Sequence, residues 1–289
     1  MSIAILRAGE QGELDAFLAG HARASMYLRS ALQHGAAPVN FAVERHAGVI
    51  VGAAGHLASA MMALQAPEHA GQLASAVLRA TGRPLAGLLG PLDQVQGARR
   101  SFGLDAADLI KDTAEDLFAL ALANMRLPAT LVSERLRCRI ATASDAALLA
   151  EWRMAFRREA LGDVEGEGLV RASHADIARL LPEGNLFLLE SEQALALACC
   201  SFNARLPGIV QIGNVWTPPM LRGKGYARCV VAGALAIAQR AGVHEAVLST
   251  GRTNLAAQAA YRSLGFAQVG DYATLSLSPW QRKRGIRSI

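Results

Sequence analysis

The sequence predicts an α/β chain built as two tandem halves of like layout. Three observations predict it. Segments with apolar residues at helical spacing alternate along the chain with short runs of β-type residues. The 289 residues are 52% hydrophobic and 18% charged, which supplies a core for one large domain or two ordinary ones and excludes a disordered chain. Short segments also recur in order: ARRSFGL at 98–104 aligns without a gap on AYRSLGF at 260–266. Agreement in order as well as in letters points to a duplicated domain.

The elements follow in sequence. Residues 11–34 read as helical, with Leu14, Phe17, Leu18, Met26, Tyr27 and Leu28 on the repeating face. NFAVERHAGVIVGAAGHLA reads as two strands around a turn at His46–Gly48, and ASAMMALQA as a third strand. Helix AGQLASAVLRATG, strand LAGLLG and a helix opened by Pro91 and Asp93 come next, the last ending near Gly103. EDLFALALANMRLP is read as the closing strand, with a helix as the alternative. Residues 128–137 are the candidate linker, which sets the domains at 1–130 and 136–289. The second half begins with strand RCRIAT and a helix through ALLAEWRMAFRREAL, capped by Thr142 or Ser144. Loop GDVEGEG, a helix over about 173–181 and a hairpin of NLFLLE with ALALACCSFNA follow. Then come strand IVQIGNVW, helix YARCVVAGALAIAQRAG, strand EAVLST, helix NLAAQAAYRSLG and a strand pair in FAQVG and YATLSLS.

The net charge of +5 comes almost wholly from arginine, since only Lys111, Lys224 and Lys283 are lysine. Nucleic-acid binding needs a basic stripe with a recognition motif, and none is present. The densest basic run, QRKRGIRSI at the C-terminus, reads as a solvated tail. Cys138, Cys199, Cys200 and Cys229 have no metal-ligand spacing, so no metal is expected and free thiols fit a reducing compartment. No run of eighteen apolar residues and no signal-peptide pattern occur, so the expectation is a cytoplasmic protein without a membrane span.

The stretch MLRGKGYARC at 220–229 carries the chemistry. It follows a strand and opens a helix. Glycines flank Lys224, a third lies at Gly233, and glycine permits turns that point successive N–H groups inward. The first N–H groups of a helix have no internal partner and, with the helix dipole, attract phosphate oxygens. Arg222 and Lys224 add charge at the rim, so the stretch suits a pyrophosphate. It is not a Walker loop, because Gly225 rather than Ser or Thr follows Lys224. It is not the dinucleotide pattern either, because position 228 is Arg228.

R-G-K-G-Y-A after Val215-Trp-Thr-Pro-Pro219 resembles the GNAT superfamily of N-acetyltransferases. The resemblance continues through Thr253, Asn254, Ala257, Ala260, Tyr261, Leu264, Gly265 and Phe266. It implies two tandem domains, each a mixed, mostly antiparallel central sheet flanked by helices. It implies that Arg222, Gly223, Lys224, Gly225, Tyr226 and Ala227 hold the pyrophosphate of acetyl-coenzyme A. It implies that the strand ending Asn214–Val215–Trp216–Thr217 pairs its edge with the pantetheine arm, that Asn254 contacts the cofactor, and that Tyr261 acts as general acid on the sulfur. In the first half Leu92 and Arg99 replace Asn254 and Tyr261, and EHAGQL replaces the loop, so a degenerate domain without cofactor is expected there.

Attack of an amine on a thioester needs a proton acceptor and a donor to the carbonyl oxygen. The strand N–H near Val215 is the expected donor, and transfer is expected directly in a ternary complex. No titratable side chain lies on Ile209–Trp216. The candidate bases are therefore Glu151, Glu159, Glu165, Glu167 and His174, with Glu159 preferred against its alternative as the partner of an arginine. Trp152 and Phe156, four apart, read as core first and as a substrate wall second. The expected activity is acetyl-CoA-dependent N-acylation of a small-molecule or peptide amine, without nucleic acid or membrane and compatible with a homodimer. The alternatives are an acetyltransferase of the mycothiol synthase type and a non-catalytic acetyl-CoA sensor.

Overall fold

A computed structural model describes residues 2–278 and 281–282. Along the chain it runs β1 (Ser2–Ile5), α1 (Gln11–Ala19), α2 (Met26–Gln33), β2 (Phe41–His46), β3 (Val49–His56), β4 (Met61–Gln65), α3 (Ala70–Thr81), β5 (Gly87–Pro91), α4 (Leu92–Ser101) and β6 (Leu109–Ala121). It continues α5 (Ala129–Val132), β7 (Leu136–Ile140), α6 (Ala146–Leu161), α7 (Glu167–Leu180), β8 (Leu186–Ser191), β9 (Ala196–Leu206), β10 (Ile209–Trp216), α8 (Tyr226–Arg240), β11 (Glu245–Gly251), α9 (Leu255–Leu264) and β12 (Ala267–Leu277).

The chain divides into two compact units. One holds the residues up to Leu117 together with a return segment from Gly270, and the other is Phe118–Val269. These bounds differ from 1–130 and 136–289. The reason is β12, whose residues Tyr272–Ser276 pair antiparallel with Pro91–Gly87 of β5. β12 thus joins the sheet of the first unit, lying between β5 and β6, and it is one strand where a pair is expected. The basic run at the C-terminus lies outside the described residues from Lys283 onward.

In the first unit β1, β2, β3 and β4 pair antiparallel in turn, and β4 pairs parallel with β5. β1 is a strand that the sequence reading missed, and residues 11–34, read as helical, form two helices, Gln11–Ala19 and Met26–Gln33. Ala47 and Gly48 both have positive φ, +49° and +86°, as the tight β2–β3 turn requires. The core gathers Leu14, Leu18, Leu28, Phe41 and Val43 on one side, and Leu64, Leu73, Val77, Leu88 and Val95 on the other.

The second unit repeats this order. β7, β8, β9 and β10 pair antiparallel in turn, and β10 pairs parallel with β11. The sheet is mixed and mostly antiparallel. α7 starts at Glu167, earlier than 173, since the helix absorbs Gly168 in its first turn. α8 covers one face with Cys229, Val230, Val231, Ala234 and Leu235 fully buried, each larger apolar side chain contributing about 1.5–3 kcal/mol. Gly233 serves this packing: a Cβ there lies 2.2 Å from Cβ of Cys138 on β7. α6 and α7 cover the other face around Leu149, Ile177, Leu188, Cys199 and Trp216. Cys199 and Cys200 point to opposite faces, as alternation requires, and all four cysteines are free. Burial pushes the Cys138 and Cys199 thiols up to about 12. No helix among the described residues is long and apolar enough to cross a membrane.

Candidate active site

β10 and β11 pair in register only from Ile209↔Glu245 to Gln211↔Val247. Beyond Gln211 the two parallel strands diverge, and β10 presents Ile212–Trp216 along an edge not paired with β11. Two irregularities in the pairing with β9 accompany this: one between Gln211 and Ile212, where β9 carries the extra residue, and a bulge on β10 between Gly213 and Trp216. Gly213 faces Ser201 and Trp216 faces Cys199, so β10 spends one residue more than β9 over this span. Asn214 lies in the bulge with φ +52°, a conformation that Asn tolerates better than most residues. The bulge assigns the two faces. Trp216 is 6% exposed and packs under α6, while Val215 packs toward α8 and α9.

The loop from Thr217 to Gly225 leads into α8. Gly223 and Gly225 have φ of +79° and +78°, which orient the backbone before the first turn of the helix. The Arg222 N–H donates to Pro219 O at 3.3 Å. The N–H groups from Gly223 through Arg228 have no acceptor among the described residues, and the next, of Cys229, returns to Gly225 O. Six consecutive unengaged donors at a helix N-terminus form an anion cradle. Thr217 Oγ1 is buried without a partner beside it. Lys224 is exposed at the rim.

Arg222 is placed differently from a rim charge that waits free for phosphate. Its Nε donates to Thr217 O at 3.0 Å, its Nη2 pairs with Glu159 Oε2 at 2.9 Å, and its guanidinium lies 4.8 Å from the Trp216 ring centre. Glu159 therefore sits at the end of α6 as an exposed ion-pair partner. Glu165 pairs with Arg158 and Glu167 with Arg171, while Glu151 and His174 lie exposed on α6 and α7.

Tyr226 and Ala227 open α8, and Tyr226 packs against the same core as Val215 and Tyr261. Tyr261 lies on α9, 7% exposed, with its ring edge-on to Phe266 at 6.0 Å. Burial, reinforced by nearby Cys200, raises its phenol well above the ordinary tyrosine value. Asn254 caps α9, its Oδ1 accepting from the Ala257 N–H at 3.2 Å.

A cavity of about 20 Å³ opens on the α6–α7 face, walled by Trp152, Phe156, Trp216 and Cys199, with Arg153 and Asn214 as its polar groups. Sequence reading missed Arg153 and Asp176, and named Asn214 only as part of the strand end and not for its side chain. The one local signal was Gly213–Asn214 inside a strand pattern, a mark of a bulge.

The profile of the acetyltransferase (GNAT) family matches residues 147–266. Solved structures share the fold across nearly the whole chain. A GCN5-related N-acetyltransferase from Sphaerobacter thermophilus is 13% identical, with 95% of this chain and 94% of that one covered, at a TM-score of 0.58. A tandem GNAT protein from the clavulanic acid biosynthesis pathway is 14% identical, with 96% and 98% covered, at 0.56. A GNAT-family acetyltransferase from Colwellia psychrerythraea is 15% identical, with 96% and 100% covered, at 0.50. No curated protein sequence matches the chain. The bulged strand, the glycine loop and the helix it opens all fall inside the matched segment, and residues 147–266 are an acetyltransferase domain of the GNAT family.

Proposed function

We propose that the second unit is an acetyl-CoA-dependent N-acyltransferase that transfers acetyl to a primary amine by direct attack in a ternary complex. One observation carries this reading: six unengaged N–H groups, Gly223 to Arg228, lie beside the unpaired edge of β10. The first feature suits a pyrophosphate and the second an extended amide-bearing arm, and coenzyme A joins the two. The cradle residues Gly223, Lys224, Gly225, Tyr226 and Ala227 hold the phosphates. Val215, Trp216 and Thr217 line the arm, with the Val215 N–H as donor to the thioester oxygen. Tyr261, kept protonated by burial, returns a proton to the leaving thiolate. Asn254 orients α9 through its cap.

The base is not Glu159 in this reading. Its carboxylate is engaged by Arg222, and β10 carries no titratable side chain. The amine proton leaves through water. The first unit holds no cofactor, and the acceptor is a small-molecule or peptide amine. An acceptor of the mycothiol synthase type fits the tandem layout equally. The bare β10 favours a second reading, a non-catalytic acetyl-CoA sensor. Calorimetric titration with acetyl-CoA followed by thiol release across an amine panel tests all three. Binding with amine-dependent release supports the enzyme, binding without release supports the sensor, and absence of binding removes both.

A further inference from the structure

We propose that Arg153, anchored by Asp176, is a positioning residue that locks the Asn214 bulge and so keeps the edge of β10 shaped for the arm of coenzyme A. The proposal rests on the cofactor reading above and extends it to residues outside the motifs.

Arg153 is nearly buried on α6, its guanidinium 5.2 Å from the Phe156 ring centre. Its Nε donates to Asp176 Oδ2 of α7 at 2.7 Å and its Nη2 lies 2.6 Å from the same oxygen. Arg157 Nη1 also donates to that oxygen at 3.0 Å and is fixed in turn by Asp163. Asp176 therefore holds one side of the guanidinium fork, and the remaining arm, Nη1, donates to Asn214 Oδ1 at 2.5 Å.

Arginine has donors only, so the Asn214 amide must turn its oxygen to Arg153 and its nitrogen to β9. There Nδ2 donates to Ser201 Oγ at 2.7 Å and to Asn203 Oδ1 at 3.0 Å. Asn203 in turn fills the space beside Gly213, where a Cβ would meet its amide at 1.9 Å. Both N–H groups and one lone pair of the Asn214 amide are thus engaged, by β9 on one side and α6 on the other. This residue is the one that carries the positive φ of the bulge.

A buried ion pair is weak as a source of stability, because desolvation offsets most of its Coulomb attraction. What it provides here is a fixed geometry. A lysine can satisfy Asp176 but presents no planar fork to reach Asn214 as well. The bulge lies in the part of β10 beyond Gln211, which is not paired with β11.

The test compares coenzyme A with its nucleotide half, 3′-phospho-ADP, by calorimetry on the full chain. The nucleotide half needs only the cradle, whereas coenzyme A also needs the β10 edge. The variants are Asn214→Gly, which retains positive φ and removes the amide, Asn214→Ala, and Arg153→Lys. In all three we expect unchanged affinity for the nucleotide half and a loss of about tenfold for coenzyme A, the effect of one charge-assisted hydrogen bond. Amide exchange at 214–217 should accelerate in parallel.

Wild-type affinity in Asn214→Gly would overturn the proposal, since backbone conformation alone would then suffice. Parallel loss of both ligands would overturn it too, as general destabilisation. A wild-type chain that binds the nucleotide half as tightly as coenzyme A would overturn the role of the edge while leaving the cradle intact. A wild-type chain that binds neither would remove the cofactor reading, and the positioning role with it.

Discussion

Gly225→Asp separates the cradle's function from the stability of its helix. Gly225 is the N-cap of α8 at φ +78°, ψ 10°. A side chain there costs about 1–2 kcal/mol in backbone strain, less for Asp and Asn, which tolerate this region. Sterics add little, because a Cβ meets only the flexible Arg228 side chain, at 3.2 Å. An aspartate at an N-cap accepts from the N–H groups of the first turn and returns about 1 kcal/mol, so the variant should unfold near the wild-type temperature. The same carboxylate occupies the donors meant for phosphate. At about 4 Å and an effective dielectric near 20, its repulsion of one phosphate charge is about 4 kcal/mol. The loss of acetyl-CoA affinity is then about 4 kcal/mol, about three orders of magnitude. Gly225→Asn supplies the control, with the same cap and strain but no charge, and should lose about tenfold. The assay is titration calorimetry beside a thermal melt. Equal affinity in the Asp and Asn variants, both within tenfold of wild type, would refute the anion cradle.

Three further outcomes are expected. Tyr261→Phe should bind acetyl-CoA normally and transfer acetyl on the order of a hundredfold more slowly; because burial raises the phenol, the wild-type rate should show no alkaline fall from this residue at the ordinary tyrosine value of about 10. An unchanged rate would exclude it as the acid. Glu159→Gln should alter stability by less than about 1 kcal/mol, since both members of its ion pair with Arg222 are substantially exposed, and should leave turnover intact. A collapse in rate with unchanged binding would restore Glu159 as the base. Asp145, held by two Arg139 hydrogen bonds, titrates at about 2 instead of 3.8. Its depressed value stabilises the fold above pH 3.8 and that contribution disappears as pH falls through about 2, up to about 2 kcal/mol in all. Arg139→Gln should lose this pH dependence, and acid titrations that superimpose on wild type would contradict it.

The strands, the helices and the glycine loop were legible because each is a local pattern: alternation, helical period, or a turn that only glycine permits. β10 is read at Ile209–Trp216 from sequence and from structure alike. What escaped the sequence is pairing between distant residues. Nothing near β12 announces that Tyr272–Ser276 will pair with β5, because strand partners are chosen by the fold and not by neighbours. Arg153 is one of many arginines, and its fork to Asp176 and Asn214 exists only once α6, α7 and β10 are packed. Glu159 shows the converse. The sequence left it between a base and the partner of a neighbouring arginine, and the fold brings it a partner 63 residues away, Arg222.

The first unit leads to the last prediction, the number of cofactor sites. Its counterpart of the cradle is the passage from β4 to α3, residues 66–69, which contains no glycine. The Ala66 N–H there is already taken by Gln94 Oε1 at 2.6 Å. The buried Glu44 carboxylate, 2% exposed, pairs with Nδ1 of His69, the N-cap of α3, at 2.9 Å. Glu68 brings a second carboxylate, and one ligand atom of each of the three lies within 4.8 Å of the others. A helix N-terminus favours negative charge, and here the protein supplies that charge itself. A pyrophosphate placed at α3 would meet two carboxylates beside the N–H groups of the helix. Titration with acetyl-CoA should therefore saturate at one site per chain, and Gly225→Asp should weaken that site by about three orders of magnitude. A second site that survives Gly225→Asp would place a cofactor in the first unit, and the reading of Glu44 and Glu68 as resident anions would fall.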